Sequence, residues 1–112
     1  MIFHGYFRSS AAWRCRIAFN LKGVQPEVRY IHLRKGQQRE PTYLETNPQG
    51  LVPALELDDG TVLTQSLAIM EWLEETFPGP ALLPADPAQR AQVRAFAQAI
   101  ACDMYSHKYT VN

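Results

Sequence analysis

The sequence predicts a layered α/β domain over residues 1–80, and three observations carry the prediction. A short apolar stretch, a polar break before a helical stretch, and then a strictly alternating stretch read as a strand–helix–strand unit. Such a unit implies parallel strands joined by a right-handed crossover. A hairpin signal near residue 60 adds two short strands, and an amphipathic stretch over 66–76 adds a second helix. The order β-α-β, loop, β-β-α is thus helices layered on a sheet, with residues 84–112 opening a helical part.

Each element has its own signal. Ile2-Phe3-His4-Gly5-Tyr6 is mostly apolar and reads as a central strand. Arg8-Ser9-Ser10 breaks it, and either serine suits a helix N-cap. Ala11–Lys22 predicts a helix with Trp13, Ile17, Ala18 and Leu21 on its inward face and Cys15 and Phe19 beside them; Gly23 is an apt stop. Glu27–Leu33 alternates and predicts a half-buried strand. Residues 34–48 are polar, contain Gly36, Pro41 and Pro48, and predict an irregular segment with room for one short helix.

Asp58-Asp59-Gly60, between Ala54–Leu57 and Thr61–Leu63, signals a hairpin. Ser66–Thr76 predicts a helix with Ile69, Met70, Trp72 and Leu73 inward and Glu71, Glu74 and Glu75 outward. Pro78-Gly79-Pro80 ends it as a linker. Asp86 and Pro87 then suit an N-cap and a first helical position. Val93, Phe96, Ala97 and Ile100 follow at i, i+3, i+4 and i+7, an apolar stripe that needs a surface to pack on.

Composition narrows the function. The 112 residues are about one domain's worth of chain, and 46% hydrophobic content supports a packed core. Eleven basic and eleven acidic residues balance, so nothing points to nucleic acid or to an anionic membrane surface. Cys15 and Cys102 make no C-x-x-C, zinc or disulfide pattern. His4, His32 and His107 show neither metal-ligand spacing nor a triad pattern and read as structural or surface residues. The start lacks a basic n-region with a long apolar stretch behind it, and no apolar run approaches the ~20 residues of a membrane span, so a cytoplasmic protein is expected.

The chemistry concentrates at Gly50-Leu51-Val52-Pro53 and Gln65-Ser66. An X-Pro bond is the one peptide bond that adopts cis cheaply, though trans is the commoner state. A cis turn there would leave the Val52 N–H and C=O free for an extended ligand. A serine hydroxyl and the N–H groups of a helix start can hold a carboxylate. The bland readings are a proline at a strand start and plain helix caps; the shared arrangement favours a site for a small acidic peptide.

Tyr6-Phe7-Arg8-Ser9-Ser10-Ala11-Ala12-Trp13-Arg14, Asn47-Pro48-Gln49-Gly50-Leu51-Val52-Pro53-Ala54-Leu55 and Gln65-Ser66-Leu67-Ala68-Ile69 resemble, in order, the motifs of zeta-class glutathione transferases. That class includes maleylacetoacetate and maleylpyruvate isomerases. Leu82-Leu83-Pro84, Asp86-Pro87 and Arg90-Ala91-Gln92-Val93-Arg94 resemble the entry to the family's helical domain, so the likeness covers roughly residues 1–103.

The resemblance implies a thioredoxin-like domain over 1–80, then a truncated all-helical domain beginning at 84. It implies glutathione as cosubstrate, and a homodimer where the full-length chain is made. Ser9 would activate the glutathione sulfur, with Ser10 adjacent, and Ala11 and Arg14 belong to the same loop. Val52 would pair with the cysteinyl backbone, Gln65 and Ser66 would hold the γ-glutamyl end, and Gln38 would lie near the glycyl arm. Many relatives carry cysteine where this chain has Ala11, so no redox role is expected there. After Asp103 the chain leaves the family pattern with Met104 to Asn112, which reads as a truncation, frameshift or fragment.

The implied reaction is cis–trans isomerisation of a maleyl diketoacid in aromatic degradation, or glutathione transfer. The competing reading from another class is a catalytically inactive glutathione-binding or protein-interaction remnant, motivated by the stripe from Val93 to Ile100. A thioredoxin-like redox protein is disfavoured, because no thiol stands at the first helix start.

Overall fold

The computed structural model describes residues 1–104; His107 and the rest of the divergent tail, 105–112, lie outside them. The strands are β1 (Ile2–Gly5), β2 (Glu27–Tyr30), β3 (Ala54–Glu56) and β4 (Val62–Thr64). The helices are α1 (Ser10–Lys22), α2 (Pro41–Thr46), α3 (Ser66–Thr76) and α4 (Pro87–Gln98), with a π-helical turn over Ala99–Met104. Two 3-10 turns, Leu33–Lys35 and Gln37–Arg39, precede α2. The segment expected to be irregular therefore holds one short helix and two tight turns.

The sheet order is β2-β1-β3-β4. β1 is central and parallel to β2, pairing Ile2 with Glu27 and Gly5 with Tyr30. β3 runs antiparallel to both β1 and β4, pairing Ala54 with His4 on one side and with Thr64 on the other. The strand–helix–strand unit, the hairpin and α3 all form as expected. α4 is capped by Asp86, whose carboxylate accepts from the Gln89 N–H at 3.0 Å, with Pro87 in its first turn.

The core lies between the sheet and the α1/α3 layer. Phe3 and Leu55 come from the sheet, Ala12, Cys15, Ala18 and Phe19 from α1, and Ile69 and Leu73 from α3. Here α1 departs from expectation. Ala18 is inward, but Trp13 is 61% exposed and Ile17 and Leu21 also face out. Apolar residues occur all round this helix, so periodicity alone selects no face. Close approach selects it instead: a methyl placed on Gly5 would sit 3.3 Å from the Ala12 Cβ. Small side chains fit against β1 there, and a tryptophan does not.

Two further expectations need correction. β2 is shorter than Glu27–Leu33 and, at one edge of the sheet, is exposed along its whole length, whereas β4 at the other edge is half-buried. Alternation reports a period of two and does not say what covers either face. Glu74 turns inward rather than outward: its carboxylate meets Lys22 Nζ at 2.8 Å and accepts from the Leu82 and Leu83 N–H groups, each at 3.0 Å. The Pro78-Gly79-Pro80 stretch thus leads into a segment tied to α3. α4 is joined to α3 by Arg94, which donates to Glu71 Oε1 from Nε at 3.0 Å and from Nη2 at 2.6 Å, while no residue of α4 is buried and Phe96 is 71% exposed.

Candidate functional site

Strand directions decide which sequence-predicted residues meet. β1 ends, β3 begins and β4 ends at the same edge of the sheet, as the pairing of Ala54 with both His4 and Thr64 requires. The loop to α1 leaves that edge after Gly5, the Val52-Pro53 turn enters there, and α3 starts there after Thr64. Ser9, Val52, Gln65 and Ser66, scattered over 58 positions of sequence, are gathered at one end of the molecule. β2 also ends there, and the following turn brings Gln38 alongside: a Cβ on Gly50 would lie 3.2 Å from the Gln38 carbonyl. Gly50 also has φ of +66°, so both space and conformation demand glycine.

Ser9 is the N-cap of α1. Its side chain is 5% exposed, and its Oγ accepts from the Ala12 N–H at 3.1 Å. That bond uses the oxygen and leaves the hydroxyl proton to donate elsewhere. Ser10 and Ala11 open the helix. Ser9 and Ser10 line an open depression with Phe7, Arg8, Trp13 and Arg16. The helix start and two guanidinium groups give this depression a positive character. Cys15 lies behind it, buried, its Sγ 3.7 Å from the Ser66 carbonyl, and burial pushes its thiol up to about 12. A thiol so placed is packing, not a nucleophile.

Ser66 opens α3. It is 7% exposed, and its Oγ accepts from Arg14 Nη1 at 3.0 Å. The structure thus sets Arg14 at the α3 end of the site, behind Ser66. Among the described residues no side chain caps the α3 N-terminus, so its first N–H groups, the Ser66 hydroxyl and the Arg14 charge all suit an anion. Gln65, just before it, has φ +70° and ψ 123°. A non-glycine residue there is strained by about 1–3 kcal/mol, and such strain concentrates where a chain grips a ligand.

The Val52–Pro53 bond is cis. Among the described residues neither the N–H nor the C=O of Val52 makes a backbone hydrogen bond. The preceding residue is anchored: the Leu51 carbonyl accepts from the Tyr43 hydroxyl and from Asn47 Nδ2 at 2.9 Å. Asn47 also accepts from the Gln49 N–H at 3.1 Å, while its carbonyl accepts from the Gly50 N–H at 2.9 Å. Beneath this turn the His4 ring stands edge-on to the Tyr43 ring, centroids 5.5 Å apart, with His4 Nε2 3.0 Å from Glu56 Oε2. Burial holds the Tyr43 phenol above its ordinary value and keeps it a proton donor. Gln38 Oε1 is buried with no hydrogen-bond partner among the described residues.

Sequence pattern gives no role to two pairs of residues at the site. Arg8 and Arg16 flank the serine pair at a spacing visible in the sequence. Tyr43 and Asn47 form the second pair. Asn47 before a proline carries a local turn signal, but nothing in the sequence links Tyr43 to Leu51.

Known proteins share this chain's sequence motifs and fold. Residues 8–76 match the family model described as glutathione S-transferase, N-terminal domain. The maleylacetoacetate isomerase of Pseudomonas aeruginosa is 46% identical over 107 residues, which is 94% of this chain and 50% of that protein. A maleylacetoacetate isomerase of Methylobacterium extorquens AM1, solved with bound malonate and GSH, superposes with a TM-score of 0.92 at 50% identity over 95% of this chain. A maleyl pyruvate isomerase described as a bacterial zeta-class glutathione S-transferase gives 0.89 at 47% identity, again over 95%. The chain spans about half the length of each of these relatives. It belongs to the glutathione S-transferase family, whose N-terminal domain it carries, and within that family it stands with the zeta class.

Proposed function

We propose that residues 1–80 form a glutathione-binding unit, that residue 84 begins a helical unit, and that the site serves the cis–trans isomerisation of maleylacetoacetate or maleylpyruvate. The observation that carries this reading is the convergence of the capping Ser9, the unpaired Val52 backbone and the uncapped α3 start at one sheet edge. The residues suit glutathione. Val52 offers a donor and an acceptor to the cysteinyl backbone, and Ser66, Gln65 and the α3 start suit the γ-glutamyl carboxylate. The unpartnered Gln38 Oε1 can accept from the glycyl N–H.

When bound, glutathione supplies a thiolate that adds to the maleyl double bond, permits rotation and is released again. The chain's part is to hold and ionise that thiol. A free thiol titrates near ~8.5, so at neutral pH it needs help. Ser9 gives a hydrogen bond and the α1 start a partial positive charge, and both favour the anion. Arg8 and Arg16, facing the same depression, suit a dianionic substrate. A cytoplasmic homodimer is the assembly we propose; no described helix is long and apolar enough to cross a membrane.

Titration calorimetry with millimolar glutathione should give binding that Ser66→Ala weakens, and ultraviolet absorbance should follow loss of the cis substrate. No binding by the unmutated chain sinks the site assignment. Exposed Phe7, Trp13 and Phe96 favour a second reading, an inactive glutathione-binding or protein-interaction form. Turnover separates the two: loss of the cis substrate in the presence of this chain and glutathione removes the second reading, whereas glutathione binding without turnover favours it.

A further inference from the structure

Tyr43 and Asn47 belong to α2 and its C-cap, and neither touches the place where a thiol or substrate would react. Both are nonetheless buried and aimed at one atom, the Leu51 carbonyl oxygen, whose two lone pairs they occupy. The Leu51 carbonyl and the Val52 N–H belong to one planar peptide unit. That unit is trans, since among the described residues the only cis bond follows Val52. In a trans unit the two groups point in opposite directions, so fixing the carbonyl inward aims the Val52 N–H outward. The orientation is held further by Asn47, which also receives the Gln49 N–H and supplies the carbonyl for the Gly50 N–H. Tyr43 is itself steadied by the edge-on His4 ring, which Glu56 holds from β3.

We propose that Tyr43 and Asn47 are positioning residues for glutathione: by pinning the Leu51 carbonyl they hold the Val52 N–H toward the cysteinyl carbonyl of the ligand. This rests on the glutathione reading above. An unpinned Leu51–Val52 unit could rotate, because Leu51 itself is exposed and no other described hydrogen bond is made to its carbonyl. Binding would then lose the orientation of one hydrogen bond while the carboxylate end stayed gripped.

The test uses two ligands in calorimetry: glutathione, and an analogue with a thioamide in place of the cysteinyl–glycyl peptide bond. The analogue keeps the planar shape and the glycyl N–H, while its sulfur is a much weaker acceptor than the carbonyl oxygen. For the unmutated chain the analogue should bind about tenfold more weakly, the worth of one well-aligned hydrogen bond. Tyr43→Phe should weaken glutathione and narrow that ratio to about threefold or less, because the lost bond was already poorly aligned. Asn47→Asp, which keeps the acceptor for Gln49 but removes the donor to Leu51, should narrow it further. Thr46→Val alters a hydroxyl 3.5 Å from Glu56 and away from Leu51, and should leave the ratio intact.

A purely structural role would weaken both ligands together and preserve the ratio. An unchanged ratio in both Tyr43→Phe and Asn47→Asp overturns the positioning role alone. A ratio that also collapses in Thr46→Val overturns it too, by showing the effect is not specific to the Leu51 carbonyl. Failure of the unmutated chain to bind glutathione overturns the underlying reading and this proposal with it.

Discussion

Ser9 uses its oxygen and its proton for different purposes. The oxygen caps α1 through Ala12, and in the proposed function the proton is the donor to a thiolate. Serine therefore answers both the bland reading as a helix cap and the chemical one, and substitution separates them. Ser9→Ala should cost about 1 kcal/mol of stability through the lost cap. It should also raise the pKa of bound glutathione by roughly one to two units, since a hydrogen bond to a charged group is worth about 1.5–3 kcal/mol. Glutathione affinity should change little, because Val52, Gln65 and Ser66 lie elsewhere in the site. Ultraviolet titration of the bound thiolate reads the shift directly. Should Ser10→Ala move the titration more than Ser9→Ala, the activating role belongs to Ser10. Gln65 contributes differently: its backbone is strained at φ +70°, and in the proposed function that strain sits where the chain grips the γ-glutamyl end.

At the scale of elements, α3 and α1 show where sequence pattern suffices and where it fails. The bounds of α3 are those its pattern predicts, and Ile69 and Leu73 are buried as expected. The pattern works there because charged residues occupy most of the opposite side. Helix α1 has no such contrast, and its inward face was set by the fit of Ala12, Cys15 and Ala18 against the sheet. Phe19→Ala should accordingly cost about 3–5 kcal/mol in chemical denaturation, whereas Trp13→Ala should stay within about 1 kcal/mol. Equal costs would mean that the face is wrongly assigned. The candidate site divides in the same way. Ser9, Val52, Gln65 and Ser66 were legible because short polar motifs mark helix starts and turns. The Tyr43 contact was not, because it joins a helix to a loop eight residues away through one side-chain atom.

Across the whole molecule, one carboxylate ties three parts together. Glu74 on α3 receives Lys22 from the end of α1 and two N–H groups from the segment leading to α4. Glu71, one turn earlier, accepts from Arg94 of α4 at 2.6 Å, but that pair is more exposed and contributes less. The Lys22 side chain is 2% exposed, so losing its partner strands a buried charge. Glu74→Gln should therefore destabilise by on the order of 3 kcal/mol at neutral pH. Lys22→Met should cost less, because Glu74 keeps both N–H donors. The Leu82 N–H, and then Lys22, draw the Glu74 carboxyl down from 4.5 to about 2. A carboxyl lowered on folding contributes stability that is complete above its ordinary value and is lost as pH falls toward the folded one. The cost of Glu74→Gln should thus be full above pH 4.5 and shrink steadily as pH falls to about 2. Urea denaturation of both chains across that window tests the assignment. A gap that stays constant from pH 5 to pH 2 would show that the Glu74 charge does not hold α1, α3 and the α4 segment together.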